Sequence, residues 1–299
     1  MKKIPLLLSL TTALLLFSGA AYSQDSDSTG LPGDHFSLQG ALEMFKKANS
    51  IEEFEKLINS ESNNVNNLDL NADGEIDYVS VIDKSDKDAH AFVLQVAVSA
   101  TENQDIAVIE LEKDGDESAV LQIVGDEEIY GEQMIVEPSD GTDGEDDSPA
   151  KNGPSFNFNE ANIIVNVWLW PSVRFVYRPA YVPWVSPWHW RSHPNWWHPW
   201  RPAPWRVFHP RVIVFHPYCR VVHTHRVIVA HRVYTPYRST SVFVHTRHVS
   251  AVTHYRNTRT IRTVRVAGPR GVRTTTTVRG KDGDVKYKET KVRGRGKRG

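Results

Sequence analysis

The chain has 299 residues, of which 40% are hydrophobic and 24% charged, with a formal net charge of −1 and a single cysteine. That apolar content suffices for a packed core, and one cysteine excludes an internal disulfide framework. The near-zero net charge hides two opposed halves: residues 1–160 hold 9 Lys+Arg and 33 Asp+Glu, whereas residues 161–299 hold 26 and 3, the pattern of an acidic domain joined to a basic arm.

Met1-Lys2-Lys3, an apolar run to Ala21 and the small residues before Gln24 predict a secretory signal peptide over 1–23. No cysteine lies near the cleavage point, so a lipid anchor is not expected, and no later stretch is apolar enough to span a bilayer. The protein is therefore expected to be exported to the periplasm, the outer surface or the medium, and not to be an integral membrane protein.

Residues 34–137 predict an α+β domain: a helix pair followed by an antiparallel strand meander. Leu38, Ala41, Leu42 and Phe45 recur at helical spacing behind Ser37, a suitable N-cap. Ser50-Ile51-Glu52-Glu53 is a capping box that opens a second helix with Phe54, Leu57 and Ile58 on its apolar face. Val/Ile/Phe-rich runs at 76–82, 91–100, 106–111 and 119–124 read as strands, Asp114-Gly115 as a tight hairpin turn, and Met134–Val136 as an edge strand.

Between the helices and the strands lies Asp69-Leu70-Asn71-Ala72-Asp73-Gly74-Glu75-Ile76-Asp77. Oxygen-bearing side chains fall at loop positions 1, 3, 5 and 9 with glycine at 6, the arrangement by which an EF-hand-type loop surrounds calcium. Asp69, Asn71, Asp73 and Asp77 are the expected side-chain ligands, and Glu75 the expected carbonyl ligand. Position 12 is Ser80 in place of the usual bidentate Glu, and a strand follows in place of a helix. The loop resembles the DxNxDGxxD calcium turns of integrin-type FG-GAP repeats. A metal-free Asx-rich turn is the alternative. The wider run Asn66 to Tyr78, set between a helix pair and a strand meander, resembles a motif of uncharacterised secreted bacterial proteins, which implies export and a shared domain without a known activity.

Residues 138–160 read as an acidic, disordered linker, with Asp140, Asp143, Glu145, Asp146 and Asp147 among Gly, Ser and Pro. From 161 the chemistry changes. All nine tryptophans and eleven of the 13 histidines lie beyond this point, with eleven prolines between Pro171 and Pro236. Such proline density excludes a long helix or a regular central sheet across 161–210 and favours extended segments. The region 211–292 reads as basic and built of short strands, with valine runs at Val212-Ile213-Val214, Val227-Ile228-Val229 and Val242-Phe243-Val244. It ends in a hairpin around Asp282-Gly283, ahead of a basic, disordered tail at 293–299.

Function is expected from these two halves. Arg174, Arg178, Arg191, Arg201, Arg206 and Arg211, interleaved with Trp and His, suit an anionic polymer or lipid surface: lipopolysaccharide, acidic glycan or extracellular nucleic acid. The competing possibility is that the tryptophans bury one another. The acidic half, the linker above all, is expected to contact the arm and to compete first for Arg174, Arg178 and Arg191. A second function class is transition-metal binding by a His-rich periplasmic protein through His223 and His225. Cys219 has His216 and His223 nearby in sequence but no nucleophile signature around it, and the chain holds no G-x-S-x-G, H-E-x-x-H or Gly-rich phosphate loop, so no catalytic residue is assigned and no enzyme is expected.

Overall fold

A computed structural model describes residues 28–139 and 164–258, together with the backbone of three strands beyond them. The expected signal peptide and the acidic run Asp140–Asp147 lie outside the described residues, as does the chain from 295 onward.

The first half is the expected α+β arrangement. Helix α1 (Leu38–Lys47) is capped by Ser37, whose Oγ accepts the Gly40 amide at 2.9 Å. Helix α2 (Ile51–Ile58) is capped by Ser50, which accepts from Glu53 N at 3.1 Å, while the Glu53 carboxylate turns back to the Asn49 amide at 2.8 Å. Five strands follow as a meander: β1 (Val79–Asp86), β2 (Ala89–Ala97), β3 (Asn103–Gly115), β4 (Ser118–Gly125) and β5 (Met134–Pro138), each antiparallel to the next. A short helix, α3 (Glu127–Tyr130), precedes β5 and is capped by Asp126, which accepts the Glu128 amide.

Two local expectations differ. Asp114-Gly115 is not the hairpin turn: Gly115 pairs with Ser118, so Asp116 and Glu117 make the turn and the register shifts just before it. The register is fixed further down the strands, where Glu110 opposes Gln122 and Leu111 opposes Leu121, and a one-residue slip would exchange the two faces of the sheet. Met134–Val136 is also not an edge. A sixth strand, β6 (Cys219–Val222), pairs antiparallel with β5 and comes from the second half of the chain.

The second half closes the sheet in three further ways. Along the outer edge of β1, Asp83 N donates to Trp184 O at 2.7 Å and Ser186 N donates to Val81 O at 3.0 Å, so the otherwise unpaired strand edge is covered. On the first face of the sheet, α1 and α2 pack over Phe92, Leu94, Ile109, Leu111, Leu121 and Ile123. Val167, Val173, Val176 and Val244 of the second half complete that same core. On the opposite face, where a meander alternating apolar with polar residues normally meets water, Val93, Val108, Val124 and Ile135 are buried with Val222 and Tyr234.

The valine runs expected as strands are mostly helical. Helix α4 (Pro171–Val176) is followed by α5 (Trp205–Val212), which contains Pro210 and runs into a 3-10 turn over Ile213–Tyr218. Val227 caps α6 (Ile228–Tyr234), and Val242 begins α7 (Val242–Thr258). The reason is visible in what they bury. Val227, Ala230 and Tyr234 recur at steps of three and four and turn one helical face to the sheet. Further on, strands β7 (Thr260–Gly268), β8 (Gly271–Arg279) and β9 (Val285–Gly294) form an antiparallel meander; the expected Asp282-Gly283 turn lies outside the described residues. No helix among the described residues is long and apolar enough to cross a membrane.

Candidate functional site

The loop between the helices and the sheet is held by its own amides. Asp69 accepts from Asp73 N at 3.1 Å and Gly74 N at 3.0 Å, Asp73 accepts from Glu75 N at 2.9 Å, and Asp77 accepts from Leu70 N. Gly74 sits at φ +88°, where glycine carries no steric penalty, and Ala72 sits at φ +62°. Asn71 donates to Asp73 at 2.9 Å. Five hard oxygen donors on one tight turn have the chemistry calcium takes. Their arrangement here is the Asx-turn form, in which the carboxylates satisfy backbone N–H groups and the aspartate oxygens do not gather into one group of three. Asp77 is buried, and desolvation, opposed by the Leu70 amide, lifts its carboxyl to about 7.

The loop is anchored through Asn66, Asn67 and the Ile76 amide, none of them among the expected calcium ligands. Asn66 donates to Asp77 O at 2.7 Å and accepts the Leu68 amide at 3.0 Å. Asn67 accepts from Ala203 N at 2.7 Å and donates to Ala203 O at 2.9 Å, a two-way clamp on the second half. Ile76 N donates to Trp200 O at 2.8 Å.

These ties bring the tryptophan-rich segment against the loop and leave a cleft of about 300 Å³ between them. Asn71, Asp73, Glu75 and Asp77 form one wall; Trp188, Trp190, Arg191, His193 and Trp197 form the other. Tyr78 lies at the base, edge-on to Trp197 with centroids 5.1 Å apart, and its hydroxyl donates to Glu55 at 2.8 Å. Glu55 is a buried hub on α2. It also accepts from Trp184 Nε1, Ser186 Oγ and Val81 N, and burial outweighs these bonds and raises its pKa. Trp197 is 5% exposed, yet its Nε1 has no hydrogen-bond partner. Burial lowers the pKa of His193, so its ring favours the neutral form.

The six arginines expected to contact a polyanion are all exposed. Arg174 lies on α4, Arg178 stacks on Phe175 at 3.8 Å, and Arg211 reaches Asn64. Arg191 alone of the six lines the cleft, at φ +58°. Among the described residues the acidic half meets other arginines: Glu137 binds Arg220 and Arg226, and Arg238 binds Asp126 at 2.6 Å. Lys46, Lys56, Lys84 and Lys113 in turn lie over Trp170, Trp196, Tyr237 and Trp168 of the second half. Of the nine tryptophans, Trp197 alone is buried, Trp196 is exposed and the other seven are half-buried.

His225 reaches Glu110, but its partner there is His231, not His223, which is exposed. Cys219 is half-buried on β6, and burial pushes its thiol up to about 12, away from the thiolate form. Comparison of the chain with family models, curated proteins and solved structures finds no match, so the functional reading rests on these geometries.

Proposed function

We propose that this is an exported, non-enzymatic binding protein that holds an acidic glycan in the cleft between the calcium-type loop and the tryptophan-rich segment. The observation that carries this reading is the cleft wall, where the Trp197 ring, whose indole N–H is buried and unpartnered, lies beside Trp188, Trp190 and Arg191. An orphaned buried donor costs about 1–3 kcal/mol, which an acceptor oxygen supplied by a ligand would recover. The flanking Trp188 and Trp190 offer ring faces on which sugars stack, and Arg191 offers a fork for a carboxylate or phosphate. The loop's own carboxylates oppose an anion. Calcium on Asp69, Asn71, Asp73, Asp77 and the Glu75 carbonyl offsets that repulsion and supplies open coordination positions for sugar oxygens. Binding is therefore calcium-dependent on this reading.

The test is titration of residues 24–299 with a polyuronate, lipopolysaccharide, anionic vesicles and DNA, each with calcium or chelator and at two salt concentrations. Trp197→Phe keeps an aromatic ring, though a smaller one, and removes the donor; Arg191→Ala removes the fork. The expected result is calcium-dependent polyuronate binding weakened about tenfold in each variant, the size of one lost charge-assisted or buried hydrogen bond. Polyuronate binding unchanged by chelator and by both substitutions would overturn the proposal. Preference for DNA or vesicles with full loss at high salt would assign the exposed arginines a surface role instead.

A further inference from the structure

On the sheet face opposite α1 and α2, one buried carboxylate faces two imidazoles. Glu110 projects from β3 and is fully buried. One of its oxygens contacts His225 Nε2, and the other lies 2.7 Å from His231 Nδ1. The two rings stand nearly edge to face with centroids 4.2 Å apart, and the three ligand atoms all lie within 4.8 Å of one another. We propose that Glu110, His225 and His231 hold a divalent first-row transition ion, with zinc the best fit to two imidazole nitrogens and one carboxylate oxygen.

The dimensions suit the ion. Zinc binds nitrogen and oxygen at about 2.0–2.2 Å, which in a tetrahedron places ligand atoms about 3.4 Å apart. The three ligand atoms already lie within 4.8 Å of one another, and the two imidazole nitrogens, now on different oxygens of the carboxylate, have to share one of them around the ion. Three protein ligands leave one position for water, and access exists from the histidine side: the side chains of His225 and His231 are 18% and 29% exposed, against 0% for Glu110. The donor set excludes calcium and magnesium as preferred occupants, since those ions take oxygen.

The surroundings place the ligands independently of any ion. Gln122, opposite Glu110 in the sheet, accepts from Arg226 N at 2.7 Å and Val227 N at 3.2 Å and donates to Thr224 O at 2.8 Å, which fixes the segment carrying His225. Glu112, two residues along β3 on the same face, accepts from Ala230 N at 2.9 Å and also from Val229 N, which fixes the first turn of α6 and with it His231. Side chains that hold ligand-bearing segments in this way raise metal affinity by restricting the ligands before the ion arrives. The rival account is a hydrogen-bonded triad in which each imidazole donates one proton to the carboxylate and no ion enters.

The experiment uses residues 24–299 and zinc itself. Equilibrium dialysis at pH 7.5 followed by elemental analysis is expected to retain one zinc per chain. His225→Ala and His231→Ala are each expected to weaken retention at least 100-fold, and His223→Ala to leave it unchanged. Far-UV circular dichroism reports whether each variant folds. Cobalt loading of the unsubstituted protein needs no variant: a four-coordinate nitrogen and oxygen site gives intense visible bands, and a six-coordinate surface complex gives weak ones. No retained zinc, retention undiminished in the folded His225→Ala/His231→Ala protein, or only the weak six-coordinate cobalt spectrum would overturn the assignment.

Discussion

Gln122 on β4 accepts the Arg226 amide at 2.7 Å, although 104 residues separate them in the chain. With its bonds to Val227 N, Thr224 O and Glu137, this one side chain fastens the second half to the acidic face of the sheet. Gln122 is 1% exposed, so no water replaces those partners. Gln122→Ala is expected to destabilise the protein by about 2–3 kcal/mol, the cost of leaving buried amides unpaired. Urea unfolding checks this, and a loss below about 0.5 kcal/mol, the range of an ordinary surface substitution, would contradict it.

The same bonds bear on whether the first half stands alone. Residues 28–139 by themselves would expose Val93, Val108, Val124 and Ile135 and would lose the strand beside β5. They would also leave Glu110, Gln122 and Glu137 on one face without His225, His231, Arg226 and Arg220. An isolated fragment of residues 24–139 is expected to bind a hydrophobic dye and to elute as aggregate, where residues 24–299 elute as one species. A fragment that stays monomeric and unfolds cooperatively would show that the added contacts are dispensable.

What was legible in the sequence follows from where the signal lies. Helices α1 and α2 with their serine caps and the five-stranded meander carry local signals: caps, turns and period-two alternation. The loop was legible because Gly74 and the aspartates sit at a fixed spacing. The placement of the second half was not. His225 and His231 look like members of a scattered histidine set until β3 brings Glu110 between them, a relation over more than a hundred residues. The opposed charges of the halves were a visible hint. Their meaning, buried carboxylates of the sheet paired with arginine and histidine of the second half, depends on which face of β3 and β4 each residue occupies. Valine-rich runs misled because a β-branched triplet reports apolarity without period, and a helical face needs the residues three and four steps on.

Calcium supplies a prediction on stability. Without a bidentate carboxylate at position 12, the expected affinity is in the extracellular-module range of about 10⁻⁴–10⁻³ M. An ion that binds only the folded state at about 10 mM then adds about 1–3 kcal/mol. The melting temperature of residues 24–299 is expected to rise with calcium over chelator, and Asp73→Ala to abolish the rise. Identical curves in calcium, in chelator and in the variant would remove the ion from the account and leave the Asx turn.

Acidity should stabilise the protein through Asp105. This carboxylate is fully buried on β3, and although Gln95, Ser239 N and Tyr234 donate to it, desolvation dominates and raises its pKa. The unfolded chain has the ordinary aspartate value of about 3.9, so between that pH and the raised folded value the native state binds more protons than the unfolded one. Stability from this group therefore falls as pH rises through that window. Asp126 and Glu55, also raised by burial, act with the same sign. His35, His193, His216 and His248, lowered by burial, act with the opposite sign and cost stability as pH falls below about 6.5. A comparison of the protein with Asp105→Asn cancels those histidines, because they are common to both. The stability advantage of the unsubstituted protein is expected to be largest near pH 4 and to shrink toward pH 7.5, as denaturant titrations across that range would record. Parallel pH traces for the two proteins would mean that Asp105 titrates alike in the folded and unfolded chain, and that its three donors balance its burial.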